Sequence, residues 1–142
     1  MDRPDEYEYE YAVWRAEWRG GMATDVSGRG HTIHVDEPQE FGGKDSGPMP
    51  TEVLAVALAS CMCLAIAWAA RKRRVELPDL AVDVRPFRAP GEPRHGRYEL
   101  RIESSAPQDV LQPCVDLGTT YCWVTNTLKN PPEIAYEVIG SA

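Results

Sequence analysis

Four thiols are the groups in this chain best suited to chemistry: Cys61, Cys63, Cys114 and Cys122. A thiolate is a nucleophile, a metal ligand and a redox centre. The pattern is Cys-x-Cys, a gap of about fifty residues, then Cys-x7-Cys, and it fits no usual zinc spacing. Two readings remain. Any of these thiols is either an inert buried side chain or part of a redox site, which needs a nearby cation or a favourable dipole and some exposure. His31 and His34 stand an odd number of residues apart on an expected strand, so they point to opposite faces and do not suit joint metal binding. They read as ordinary strand residues.

The first two cysteines sit in TEVLAVALASCMCLAIAWAARKRR, residues 51–74. From Val53 to Ala70 it carries no charge, a length that would cross a bilayer. About seven of these residues are alanine, which inserts weakly, and amphipathic strand patterns flank the segment on both sides. A buried helix is the better reading. Pro50 suits its first turn and Glu52 suits the N-terminal dipole. The end is expected at Arg73 or Arg74, with Pro78 beyond. Cys61 falls near the midpoint, with Leu54, Leu58, Ala65 and Trp68 roughly on its face. Cys63 is about 200° further round, so the two thiols cannot do one job. One sheet cannot surround such a helix, and small residues at Ala55, Ala57, Ala59 and Ala65 would let another helix approach. A second copy of the chain, a homodimer, is the expected cover.

Around this helix, Tyr11–Trp18, Met22–Val26 and His31–Glu37 read as strands separated by the turns Gly20-Gly21 and SGRG. Pro38 ends the third, and the loop QEFGGKDSGPMP follows. Leu80–Phe87 and Arg97–Ser104 alternate as two further strands. Residues 107–129 suggest a second helix, interrupted near Pro113 or Gly118, and Glu133–Gly140 a closing strand. The order is β-β-β-α-β-β-α-β. This implies an α+β fold, a mostly antiparallel sheet with a long central helix. One domain over 1–142 is expected, with 1–10 a loosely ordered acidic leader.

Hydrophobic residues are 43% and charged residues 26% of the 142, as in ordinary globular proteins. The net charge of -7 argues against nucleic acid and anionic membranes as partners. The run RKRR at Arg71–Arg74 reads as a solvated helix end favoured by the dipole. The opening MDRPDEYEYEY shows no apolar run of a secretory signal. A cytoplasmic location is expected, where structural disulfides are rare.

The stretch from His31 to Arg73 resembles the OsmC/Ohr family (osmotically inducible protein C and organic hydroperoxide resistance proteins). It shows Gly42-Gly43, then GPMP at Gly47–Pro50, then Glu52, then ALASC ending in Cys61. The later YCWVTNTLKNPPEIAYEV resembles the family's second cysteine segment. Val124, Leu128 and Ile134 match it, and Trp123 replaces the usual proline. The resemblance spans about Val13 to the end. It implies an OsmC-like fold, an intertwined homodimer and two thiol sites at the subunit interface. It implies reduction of small organic hydroperoxides, with Cys61 as peroxidatic and Cys122 as resolving cysteine. The thiolate would become a sulfenic acid, the second thiol would condense with it to a disulfide, and an external dithiol reductant would restore both. No metal or organic cofactor is implied.

The family's peroxidases also use a glutamate and an arginine. Glu52 lies nine residues before Cys61, about 180° round a straight helix. It reads either as part of the site or as a first-turn carboxylate serving the dipole. No arginine stands in the loop near Glu40 and Phe41, so Arg29 in SGRGH is the candidate, with an exposed turn residue as its plainer reading. Cys63 and Cys114 match no family role and read as inert. The alternative function is a non-peroxidase member that binds a small apolar ligand in the dimer cleft.

Overall fold

The computed structural model describes residues 7, 8 and 10–141. Most of the leader expected at 1–10 lies outside these residues. The chain divides into two compact units: one runs up to Pro50 and takes in the stretch from Glu133, and the other is Thr51–Pro132.

In the first unit, β1 (Arg15–Trp18), β2 (Thr24–Gly28) and β3 (His31–Val35) form an antiparallel meander in the order β1-β2-β3. Arg29 and Gly30 make the two-residue turn between β2 and β3, both at positive φ (50° and 81°). That handedness matches the twist of a hairpin and suits glycine far better than arginine. The loop after β3 is shaped by one carboxylate. Asp36, only 2% exposed, accepts the backbone N–H of Glu37 (2.8 Å), Lys44 (3.2 Å) and Ser46 (3.1 Å) and the Ser46 hydroxyl (2.6 Å). The Ser46 bonds, side chain first, hold its pKa down to about 2 against the opposing effect of burial. A 3₁₀ turn, Gln39–Phe41, lies inside this loop.

In the second unit, α1 (Pro50–Arg73) is the centre. It stops because Arg74 turns left-handed (φ 57°), and the Val75 N–H then closes on the Ala70 carbonyl at 3.0 Å. An antiparallel hairpin follows, β4 (Ala81–Arg88) and β5 (His95–Glu103), irregular between Phe87 and Arg88. Then come α2 (Gln108–Thr120) and α3 (Trp123–Lys129). Leu58, Met62, Ala65, Ile66, Ala69 and Ala70 form the buried stripe of α1, at helical spacing. Val82, Val84, Leu100 and Ile102 pack against this core from the hairpin at the alternating spacing of strands, and Cys114, Val115 and Leu117 from α2. At Gly118 a Cβ would stand 2.9 Å from the Ile66 Cα, so α2 crosses α1 with almost no gap. The helix is long and apolar enough to cross a membrane by length and composition, yet one face is core. The other is open: Val56 is 60% and Leu64 70% exposed.

The α+β class, antiparallel pairing and long helix agree with the sequence reading. Two details differ. Among the described residues Glu133–Gly140 forms no strand, although its residues alternate as a strand's would, and Tyr136 and Val138 are 85% and 92% exposed. The interruption of the second helical segment, expected near Pro113 or Gly118, comes just beyond Gly118 and not at Pro113. Pro113 lies inside a continuous α2, and the break comes after Thr120, where Cys122 turns extended (ψ 101°) to start α3. Gly118 lies in α2, and the close crossing over Ile66 leaves no room for a side chain there.

Candidate active site

All four cysteines are free thiols. Cys61, at the middle of α1, is half-buried and opens into a crevice of about 350 Å³ lined by Leu64, Ala65, Trp68, Tyr121 and Trp123. Ala65 and Trp68 lie on the face expected from helical spacing. Leu58 does not line this crevice. It lines, with Met62, a separate apolar pocket of about 310 Å³ bounded by Tyr98, Leu100, Thr125 and Leu128. Burial of the Tyr98 phenol there pushes its pKa up. Trp68 and Tyr121 meet edge to face at 4.8 Å, which fixes one wall of the Cys61 crevice, and the Lys72 ammonium stands 5.6 Å from the Trp68 ring centre.

Tyr121 and Trp123 are the residues on either side of Cys122. Cys122 itself is fully buried and belongs to the same apolar cluster against which Cys61 packs. The segment that carries the second thiol is therefore a wall of the crevice that exposes the first. Three causes position it. Gly118 brings the end of α2 against Ile66, the helix breaks at Tyr121, and Cys122 becomes the N-cap of α3. From the third helical position, the Thr125 hydroxyl reaches back and donates to the Cys122 sulfur at 3.1 Å. Side chains at this position commonly fold back on the cap residue.

Cys63 opens on a different hollow, with Ala67, Ala70, Arg71 and Val75, as the rotation between the two thiols requires. Cys114 is enclosed in the core. Glu52 is exposed in the first turn of α1, more than two turns from Cys61 along the same helix. Arg29 is exposed at the tip of its hairpin, in the first unit. The lining of the Cys61 crevice contains no charged side chain. Among the described residues, no group of three or more His, Cys, Asp or Glu is gathered as metal ligands would be. In the first unit His34 bridges Asp25 (2.6 Å) and Ser46 (2.8 Å). The hydrogen bond with His34 and then that from Arg19 draw the Asp25 pKa down.

The description "OsmC-like protein" belongs to the family whose model matches residues 43–137, well over half of the chain. The chain belongs to the OsmC-like family. Among solved structures, this OsmC-like chain is similar to an OsmC like protein from Mycoplasma pneumoniae. The two share 18% identity over 86% of this chain and 89% of that one, with a TM-score of 0.67. It is similar to a Legionella pneumophila organic hydroperoxide resistance protein OsmC at 20% identity, 87% and 92% coverage and a TM-score of 0.62. It is also similar to the organic hydroperoxide resistance protein OhrB of Bacillus subtilis at 15% identity, 86% and 93% coverage and a TM-score of 0.57. At such identities the likeness establishes the OsmC-like fold. No curated protein matches the chain in sequence.

Sequence reasoning singled out Cys61 and Cys122 in this OsmC-like domain but passed over the three residues that shape their surroundings. Tyr121 and Trp123 could have been noticed as aromatic neighbours of a cysteine. Thr125 carried no such signal, because Cys122 becomes a helix cap only through the break between α2 and α3.

Proposed function

We propose that this OsmC-like chain is a cytoplasmic thiol peroxidase for small organic hydroperoxides. The observation that carries the reading is the half-exposed Cys61 in an apolar crevice walled by the two neighbours of Cys122. The Cys61 thiolate attacks the O–O bond, takes one oxygen as sulfenic acid and releases the alcohol. The Cys122 thiol then displaces water from Cys61 and forms a disulfide. An external dithiol reduces that disulfide and is itself oxidised to one. Every redox equivalent is carried by sulfur, so the cycle needs no metal or organic cofactor.

The crevice is aromatic and aliphatic, which favours an alkyl or aryl hydroperoxide over hydrogen peroxide. A reactive thiolate needs a neighbouring positive charge. The lining supplies none, and we assign that role to Arg29, with Glu52 as its carboxylate partner, as the family resemblance suggests. We further propose that the working form is a homodimer. The open face of α1, with Val56 60% and Leu64 70% exposed, offers apolar surface of the kind that subunits bury. Sedimentation of the purified protein would then give a mass of twice 15.8 kDa.

Rapid mixing with cumene hydroperoxide tests the chemistry. Wild type should lose the Cys61 thiol and gain a Cys61–Cys122 disulfide, seen by peptide mass. Cys61→Ser should abolish turnover and Cys63→Ser should leave it intact. Equal activity in the two variants would end the peroxidase reading. The uncharged crevice favours one other function, binding of a small apolar ligand without catalysis. In that case Cys61 would oxidise slowly, with no preference for organic over hydrogen peroxide.

A further inference from the structure

The two sulfurs of the proposed disulfide are held in unlike ways. Cys61 is reachable from its crevice, whereas Cys122 has no exposed surface. Cys122 is also the one that receives a hydrogen bond, from the Thr125 hydroxyl at 3.1 Å. Thr125 is half-buried and sits on the first turn of α3, whose backbone is fixed by the Asn126 N–H bonded to the Cys122 carbonyl at 3.0 Å. The local backbone thus sets the donor beside the sulfur, and Thr125 is not itself part of the lining of the Cys61 crevice.

We propose that Thr125 is a positioning residue that makes Cys122 the leaving group when the Cys61–Cys122 disulfide is reduced, so that the incoming dithiol attacks the sulfur of Cys61. This rests on the peroxidase reading above and adds the direction of the reductive half. Thiol–disulfide exchange is in-line, and its rate depends on which sulfur is accessible and on how well the other carries negative charge. A hydroxyl donating to a sulfur favours its anionic form. One thiolate of the reductant bonds to Cys61 Sγ, the Cys61–Cys122 bond breaks, and the electron pair departs on Cys122 Sγ, where Thr125 meets it. The second thiol of the reductant then attacks the mixed disulfide. It frees Cys61 and leaves as a disulfide, while solvent returns the proton to Cys122. Two electrons pass from dithiol to protein, and Thr125 keeps its own proton throughout.

The test uses the full chain as wild type, Thr125→Val and Thr125→Ser. The disulfide is made in two ways, with cumene hydroperoxide and with diamide, and its reduction by dithiothreitol is followed by intact mass. Valine keeps the shape and removes the donor, and the expected result is reduction about fivefold slower, with serine restoring the wild-type rate. A limiting amount of 2-mercaptoethanol, trapped by acid, should leave its adduct on Cys61 in wild type and divide between Cys61 and Cys122 in Thr125→Val. A loss of packing alone would not redirect that adduct. Unchanged reduction in Thr125→Val, or a wild-type adduct on Cys122, overturns the proposal. If diamide makes the disulfide and cumene hydroperoxide does not, the peroxidase reading fails while the diamide rates still decide the role of Thr125. If neither oxidant makes it, both fall.

Discussion

In the unit Thr51–Pro132 the side chains withdrawn from water are Leu58, Met62, Ile66, Leu111, Cys114 and Cys122 and several alanines, with no charged group among them. In the unit of β1–β3 the most enclosed side chain is a carboxylate, Asp36, and the loop around it is fastened by hydrogen bonds. The helical unit is held by non-directional apolar burial, the hairpin unit by directional polar bonds. The proposed thiol chemistry lies where burial dominates. Apolar packing sets the depth of each sulfur closely, and the Cys61 crevice it forms is lined without a charged side chain.

Three perturbations break or sharpen this contrast. The largest effect is expected from Ile66→Ala, which empties the crossing of α1 and α2 beneath Gly118. It should cost about 2–5 kcal/mol in urea unfolding and slow disulfide formation, because the segment bearing Cys122 loses its seat. A loss below about 1 kcal/mol would deny Ile66 its place at the centre of the unit. Next comes Asp36→Asn, which weakens the acceptor for Ser46 and for the backbone of the loop. Hydrogen exchange should quicken over residues 36–46, and the acid response should change. The native Asp36 carboxyl titrates at about 2, below the ordinary value near 4, so its contribution is whole above about pH 4 and fades as pH falls toward 2. The variant should lack that acid-dependent share of stability, and an unchanged acid profile would remove Asp36 from its role. The smallest effect is expected from Gly30→Ala, which forces a side chain into a left-handed turn at φ 81°. Thermal unfolding should register a loss of about 1 kcal/mol.

Much of this arrangement was legible in the sequence, because it follows from periodicity and punctuation. Proline at the start and the basic run at the end bracket α1 to within a residue, and the five strands seen match runs of alternating residues. Residues 133–140 show the limit of that signal. Alternation states that a segment is suited to a sheet, and it cannot say whether an edge is available. Pro113 misled for a related reason: it is the sixth residue of α2 and removes one internal N–H bond, yet the packing of Cys114, Val115 and Leu117 into the core carries the helix through. The Cys61 face was half right. Helical geometry correctly gave Ala65 and Trp68, but which neighbours line one crevice depends on what packs opposite, and Leu58 was drawn to the other side. The Asp36 brace and the Thr125 bond were hidden because each depends on chain directions that only the folded loop and the α2–α3 break create.

Two of the four sulfurs, those of Cys114 and Cys122, are sealed from solvent, and two are within reach of it. Brief alkylation with iodoacetamide should therefore halt at two adducts per reduced chain while the native state persists. Four adducts would register its opening, so the cysteines together serve as a built-in gauge of integrity that can be read by mass without any added label.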